Sequence, residues 1–234
     1  MTIAYSSDLK LSLIATGTEA GVWGQITNTN LVVLQQAIAG YQSLAVNATT
    51  GLTLAFTDGA ISTGKNAVIN LTGTLTGNVN VTVPDAIEKT YYVNNQVTHG
   101  VYTLTFKTTS GTGIKLAQGN RYTLYSDGTN VNLIQMTQVW RAITSTATIQ
   151  PGSAILANTA GGAFTITLPA SPATGDTVSF IDQGYDFNTN ALTIGRNSSN
   201  IANAAADLVI NTQGAGFSLV YSGDATTGWT YREK

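Results

Sequence analysis

The sequence predicts an all-β fold: two tandem β-sandwich-like modules preceded by a short strand-turn-helix segment. Three observations predict it. From residue 44 onward, apolar and polar residues alternate with period two, the signature of half-buried strands. The alternating runs are separated at 8–15-residue spacing by turn-forming Gly, Asn, Asp and Pro. The second half of the chain also restates the stations of the first in the same order.

Residues 1–45 stand apart as an N-terminal segment. Asp8-Leu9-Lys10-Leu11-Ser12-Leu13-Ile14 alternates and reads as a short strand, and Thr16-Gly17-Thr18-Glu19-Ala20-Gly21 reads as a turn. Leu31, Leu34, Ile38 and Tyr41 then recur at helical spacing with Gly40 placed as a stop, which predicts one amphipathic helix over 28–39. Thr27, Asn28 or Asn30 could cap it, because a short polar side chain accepts from the free amides of the first turn.

The strands follow in order. Gly51–Gly59 ends in an Asp-Gly turn, Ala67–Gly73 comes next, and Asn78–Pro84 alternates until proline removes the donor a ladder needs. Thr90–Val93, Val101–Lys107 and Arg121–Tyr125 continue the pattern. Asp127-Gly128-Thr129-Asn130 is a hairpin signal leading into Val131–Ile134. Val81-Thr82-Val83-Pro84 matches Ile166-Thr167-Leu168-Pro169, and Thr90–Gln96 matches Thr177–Gln183. Leu104–Phe106 matches Leu192–Ile194, and Leu124–Ser126 matches Val220–Ser222. The offsets are 85, 87, 88 and 96 residues, growing in one direction as loop insertions would make them grow. The predicted organisation is therefore 1–45, an N-terminal docking segment; 46–138, the first β-module; and 139–234, a duplicated second module. Trp140-Arg141 lies at the join.

Composition narrows the function. Charged residues are 9% of the 234, against about 25% in an ordinary soluble domain. A neutral, Thr/Asn-rich surface suits packing against other subunits, since little charge must be desolvated at a contact. Net charge is −2 and no Lys/Arg run exists, so no nucleic-acid partner is expected. No run of 18 apolar residues and no signal peptide are seen, so membrane insertion is not expected and the chain reads as cytoplasmically made and unprocessed, which suits a particle assembled inside a cell. The absence of cysteine excludes disulfides and thiolate metal sites.

No catalytic constellation emerges, and the chain is expected to be no enzyme and to need no cofactor. His99, the single histidine, reads as a surface residue at a hairpin tip. Asp176, Asp182 and Asp186 are the carboxylates that glycan hydrolysis would need, but turn roles account for them. The turns at Asp58-Gly59, Asp127–Asn130 and Asp182 could hold calcium, but none matches the EF-hand loop and hairpin turn chemistry explains them without metal, so no metal site is expected. The four Asn-x-Ser/Thr matches are accidents of composition. Among the tyrosines, Tyr91 and Tyr92 must face opposite sides of a strand. An outward tyrosine on a low-charge face is a subunit contact or a sugar-stacking platform, and Tyr92 is assigned to contact.

Residues 11–30, Leu-Ser-Leu-Ile-Ala-Thr-Gly-Thr-Glu-Ala-Gly-Val-Trp-Gly-Gln-Ile-Thr-Asn-Thr-Asn, with Ala37–Tyr41 and the stretch from Val81 to Asn130, resemble tail-fibre-like virion structural proteins of marine tailed bacteriophages, those of cyanophages in particular. Leu168-Pro169, Gly175-Asp176 and Gly228-Trp229 in the second half resemble short β-modules recurrent in phage fibres. The resemblance implies a virion appendage, commonly a homotrimer, whose partners are itself and other virion proteins. On this reading Trp23, Leu31, Leu34 and Ile38 dock the N-terminal segment, with Tyr92 at a subunit contact. The rival expectations are a capsid decoration protein, a depolymerase and a module binding host surface glycan. In the last case Tyr185, Asp186 and Asn188 of the Gly184–Asn190 loop are the candidate receptor contacts.

Overall fold

A computed structural model describes residues 3–233 of the chain. It is mostly β, with twenty short strands and one α-helix among the described residues. Strands β1 (Ala4–Tyr5) and β2 (Ser12–Leu13) pair antiparallel, so the alternation over 8–14 yields only a two-residue strand. Helix α1 spans Trp23–Ala39 and begins five residues earlier than the sequence predicts. No side chain caps it. The amides of Val22 and Trp23 instead donate to the Glu19 carbonyl at 3.1 and 3.0 Å, carrying the preceding turn into the helix. Asn30, a predicted cap, is occupied elsewhere: its amide accepts from Ser12 N–H at 3.0 Å and donates to Ser12 C=O at 2.9 Å. That paired contact ties α1 to β2 as a neighbouring strand would.

Next come β3 (Tyr41–Ala45), β4 (Leu52–Thr53), β5 (Val68–Thr72), β6 (Val79–Val83), β7 (Glu88–Asn95) and β8 (Leu104–Thr108). These alternate between two sheets, and within each sheet they pair in parallel: β3-β5-β7 in one, β4-β6-β8 in the other. Parallel neighbours need a long crossover. Here the crossover is a strand of the opposite sheet, so the chain coils as a β-solenoid and not as two antiparallel sandwich sheets. Tyr41, Val68 and Tyr92 lie in register, 27 and 24 residues apart, one per coil. Strand β9 (Gly113–Lys115) then extends the second sheet, while β10 (Arg121–Asp127) and β11 (Val131–Thr137) add antiparallel to the first. The Asp127 carboxylate accepts the Thr129 and Asn130 amides at 2.9 and 2.6 Å and shapes the β10–β11 turn, with Gly128 at φ 82°.

The remaining strands are β12 (Trp140–Ile143), β13 (Ala147–Thr148), β14 (Ala154–Ala157), β15 (Phe164–Thr167), β16 (Thr177–Asp182), β17 (Leu192–Gly195), β18 (Leu208–Ile210), β19 (Gly216–Tyr221) and β20 (Trp229–Glu233). Their sheets run β12-β14-β16-β19-β20 and β13-β15-β17-β18, the same order as the first set strand for strand, again parallel through the first three of each. The four matching sequence stations fall on equivalent strands: β6 and β15, β7 and β16, β8 and β17, β10 and β19.

Alternation decides what is inside. In β7, Lys89, Tyr91, Val93 and Asn95 point inward and Glu88, Thr90 and Tyr92 outward. Val81, Val83 and Phe106 line the same core, and Tyr91 and Phe106 meet at 5.5 Å between ring centres. In the second set Phe180 stacks on Phe217 at 5.0 Å beside fully buried Trp229. Burying one such ring stabilises by about 2–3 kcal/mol. The long strand predicted at 51–59 is confined to β4, because Phe56 and its neighbours instead pack against the 3-10 turn Thr63–Lys65, whose Gly64 leaves no room for a side chain beside the Phe56 ring.

The chain divides into two compact units that are not contiguous in sequence. One comprises 1–98, 104–114 and 121–137; the other comprises 99–103, 115–120 and 138–234. His99 belongs to the second and is 1% exposed, which corrects its expected place at a surface turn. Gly100 (φ 59°) and exposed Val101 form the tip instead. Burial and the nearby Arg141 charge push the His99 imidazole down to about 4.

Candidate functional site

Three surfaces hold the residues that sequence reasoning singled out. The first is α1. Its 17 residues include no charged side chain, and its one fully buried residue is Val33. Trp23, Leu31 and Ile38 are exposed at 61, 58 and 80%, and Leu34 is half-buried. At 100° per residue these four fall along one stripe, far round the helix from Val33. The structure thus brings the predicted docking residues onto one stripe, where Trp23, Leu31 and Ile38 are left exposed by the described residues and Leu34 is partly covered.

The second is the loop after β16. Asp182, 1% exposed, turns its carboxylate onto the amides of Asp186 and Phe187 at 3.2 Å each and Gly214 at 2.9 Å. Three N–H donors satisfy its charge, so Asp182 is a structural anchor and not a reactive carboxylate. The anchored loop presents Tyr185 at 64% exposure, with a left-handed backbone (φ 57°), next to exposed Asn188. Asp186 is half-buried and its carbonyl accepts from Thr189 and Asn190. The three predicted receptor contacts therefore share one loop. Only Tyr185 and Asn188 offer substantial surface.

The third surface is the outer face of β3-β5-β7-β10-β11. Tyr92 sits there, and parallel register aligns it with residues far away in sequence. Tyr41, Val68, Tyr92, Thr123 and Gln135 form one straight row across the five strands. The next outward row is Ser43, Asn70, Asn94, Arg121 and Thr137. A cleft of about 370 Å³ opens over the first row and over Asn94, Arg121 and Thr137 of the second, with Tyr41 (63% exposed) and Tyr92 (55%) among its walls. The side-chain amides running from Asn94 along the second row are wired in one direction. Gln96 donates to Asn94 at 3.0 Å, Asn94 to Asn70 at 2.8 Å, and Asn70 to the Ser43 hydroxyl at 3.0 Å. The Arg121 guanidinium is exposed and enters no hydrogen bond or ion pair among the described residues. Sequence reasoning singled out Tyr92 but missed Tyr41, Asn94 and Arg121. Tyr41 reaches Tyr92 only through the 27- and 24-residue coil spacing and Arg121 only through the antiparallel β7–β10 pairing, while Asn94 follows Tyr92 by two residues on the same strand.

Elsewhere the titratable groups serve the frame. The Lys65 ammonium is buried against the Thr57 and Ala60 carbonyls at 2.6 Å each. Burial pushes Lys89 down to about 8; its ammonium donates to Asn66 C=O at 2.9 Å and lies 4.2 Å over the Tyr91 ring. No group of three or more His, Asp or Glu able to hold a metal occurs among the described residues. No described helix is long and apolar enough to cross a membrane.

No protein-family model matches the chain, and no curated protein matches it. A solved structure of a chaperone–substrate complex contains a chain that overlaps 81% of this one at 16% identity and a TM-score of 0.39. The overlap spans 35% of that chain's own length. A likeness at that level carries no argument about function.

Proposed function

We infer that this chain is a non-catalytic structural subunit of a bacteriophage appendage, of the tail-fibre kind. In this reading α1 docks it to a neighbouring virion protein, and the β-solenoid units associate with their symmetry mates in a homotrimer. The observation that carries the reading is α1 itself, an uncharged helix that leaves Trp23, Leu31 and Ile38 bare along one stripe. Contiguous exposed apolar surface of this kind marks a place where another protein sits. The resemblance of residues 11–30 to virion structural proteins supplies the kind of partner. Short parallel coils with few charged side chains support the projecting role, since each coil contacts only its neighbours and the stack extends along one axis.

The test is a phage whose own copy carries Leu31→Gln and Ile38→Gln. Both side chains are solvent-exposed, so the purified variant should melt within a few degrees of the parent, an exposed change being worth about 0.5 kcal/mol or less. Purified particles should lose most of the protein, measured by immunogold labelling and quantitative mass spectrometry. Particles that retain the variant at parental copy number overturn the docking role. Unmodified particles that never carry the protein overturn the appendage reading as a whole.

A further inference from the structure

We propose that the cleft on the outer face of β3-β5-β7-β10-β11 is a saccharide-binding site specific for a sugar that carries a carboxylate. The inference stands apart from the appendage reading: it concerns one face of the first compact unit and needs no particle.

The row geometry fixes the shape. Tyr41 and Tyr92 lie on strands separated only by β5, so their backbones are about 10 Å apart. Val68 lies between them in the same row and is short enough to leave a trough. Two exposed rings with a smaller side chain between them accept a flat ring whose faces are C–H and whose rim is polar. A pyranose has that form, and outward tyrosines supply rigid amphipathic area at small entropic cost. The cleft's volume of about 370 Å³ is at the lower end of ligand sites, suited to one or two sugar units.

The neighbouring row fixes the chemistry. It lies two residues along each strand, about 7 Å away, and is entirely polar: Ser43, Asn70, Asn94, Arg121 and Thr137. The chain of bonds from Gln96 through Asn94 and Asn70 to Ser43 locks each amide in one orientation before any ligand arrives. Locked amides are the groups that discriminate hydroxyl stereochemistry, because they lose little freedom on binding. Arg121 is the informative member. It pairs in register with Asn94 and Thr137 and faces no carboxylate in its row. A guanidinium without a counter-charge beside a cleft favours a planar anion, and a carboxylate matches its two-pronged donor geometry.

Other occupants fit less well. A nucleic acid would need several cations to neutralise its phosphates, and the two rows supply one. An apolar peptide would offer the Arg121 guanidinium at the cleft wall no acceptor.

The test uses the full chain and two probes of the same ring skeleton: trigalacturonic acid and its fully methyl-esterified form, which keeps the rings and removes the charge. Calorimetry and amide-resonance shifts should show the acid binding at a Kd of about a millimolar or tighter and the ester at least tenfold more weakly. Arg121→Gln should weaken the acid about tenfold and leave the ester unchanged. Tyr92→Ala should weaken both. Both positions face outward, and unchanged melting of the variants confirms that folding is intact. The proposal is overturned if the acid shows no binding at 20 mM, if acid and ester bind equally, or if Arg121→Gln binds the acid like the parent. It is also overturned if resonances of this face shift with protein concentration in the absence of sugar, since a second copy is then the occupant.

Discussion

His99 shows how little of a residue's setting its sequence neighbours reveal. Val97-Thr98-His99-Gly100 has the composition of a turn, and the turn does form, but one residue later than expected. The imidazole is enclosed, and its backbone amide donates to Gln118 at 3.2 Å. Because burial and Arg141 hold its pKa near 4, against an ordinary 6.5, the unfolded chain binds a proton more readily than the folded one between those values. Stability from this group is therefore complete above pH 6.5 and is lost as pH falls toward 4. The shift corresponds to about 3 kcal/mol in full, of which about 2 kcal/mol is gone by pH 5. Urea titrations at pH 7 and pH 5 should show that loss in the parent, and His99→Gln should remove most of the difference. A pH dependence unaltered by the substitution would mean that His99 is not the titrating group. Asp182 teaches a similar lesson. The sequence offers it as a turn residue or a candidate carboxylate, and three converging amides from two separate segments make it a buried anchor.

At the scale of elements, what was legible was periodicity, and what was not was pairing. The helix was expected from Leu31, Leu34 and Ile38, and it exists. Its start was misplaced because Asn30 spends its amide on Ser12 and cannot cap. Val32 and Val33 allow a direct test of the helix's orientation, being chemically identical neighbours at 50% and 0% exposure. Val33→Ala should cost about 1–2 kcal/mol by urea denaturation and Val32→Ala less than about 0.5 kcal/mol. Equal costs would mean the helix is rotated from the orientation described. The strands β5, β6, β7 and β10 were expected from alternation. Yet a strand with one buried face alternates in the same way whether its partner is an antiparallel neighbour in a sandwich or a parallel one a coil away. That is why a sandwich was expected where a solenoid formed. The cleft was hidden for the same reason. Tyr92 could be placed on an outer face from Tyr91 alone, but its company of Tyr41 and Arg121 depends on register.

At the scale of the whole molecule, the repeat was visible in sequence as four ordered matches, and the strand order repeats accordingly. The compact units nevertheless do not divide at one point. Residues 99–103 and 115–120, inserted between strands of the first set, belong to the second unit. Asn120 shows what they contribute: its side chain donates to Gly152 C=O at 2.9 Å and accepts from Val139 N–H at 3.0 Å. Gln150 donates to Tyr102 C=O at 3.0 Å. A fragment of residues 138–234 lacks all three bonds, each worth about 1 kcal/mol, and bares the surface beneath them. It should be markedly less stable to urea than the same residues in the full chain, measured by hydrogen exchange at Ile155 and Phe180. Equal protection in fragment and full chain would show that the inserted segments are dispensable.

That interleaving bears on how such a gene can change. Beads on a string can be swapped at the string, and a recombination event between them leaves every bead whole. Here a crossover at the codon for residue 138 would hand the incoming half a scaffold missing two of its pieces, and leave those pieces stranded in the other parent. Diversification should therefore come by point substitution on outward rows such as those around Tyr92, or by exchange of the pair as one cassette.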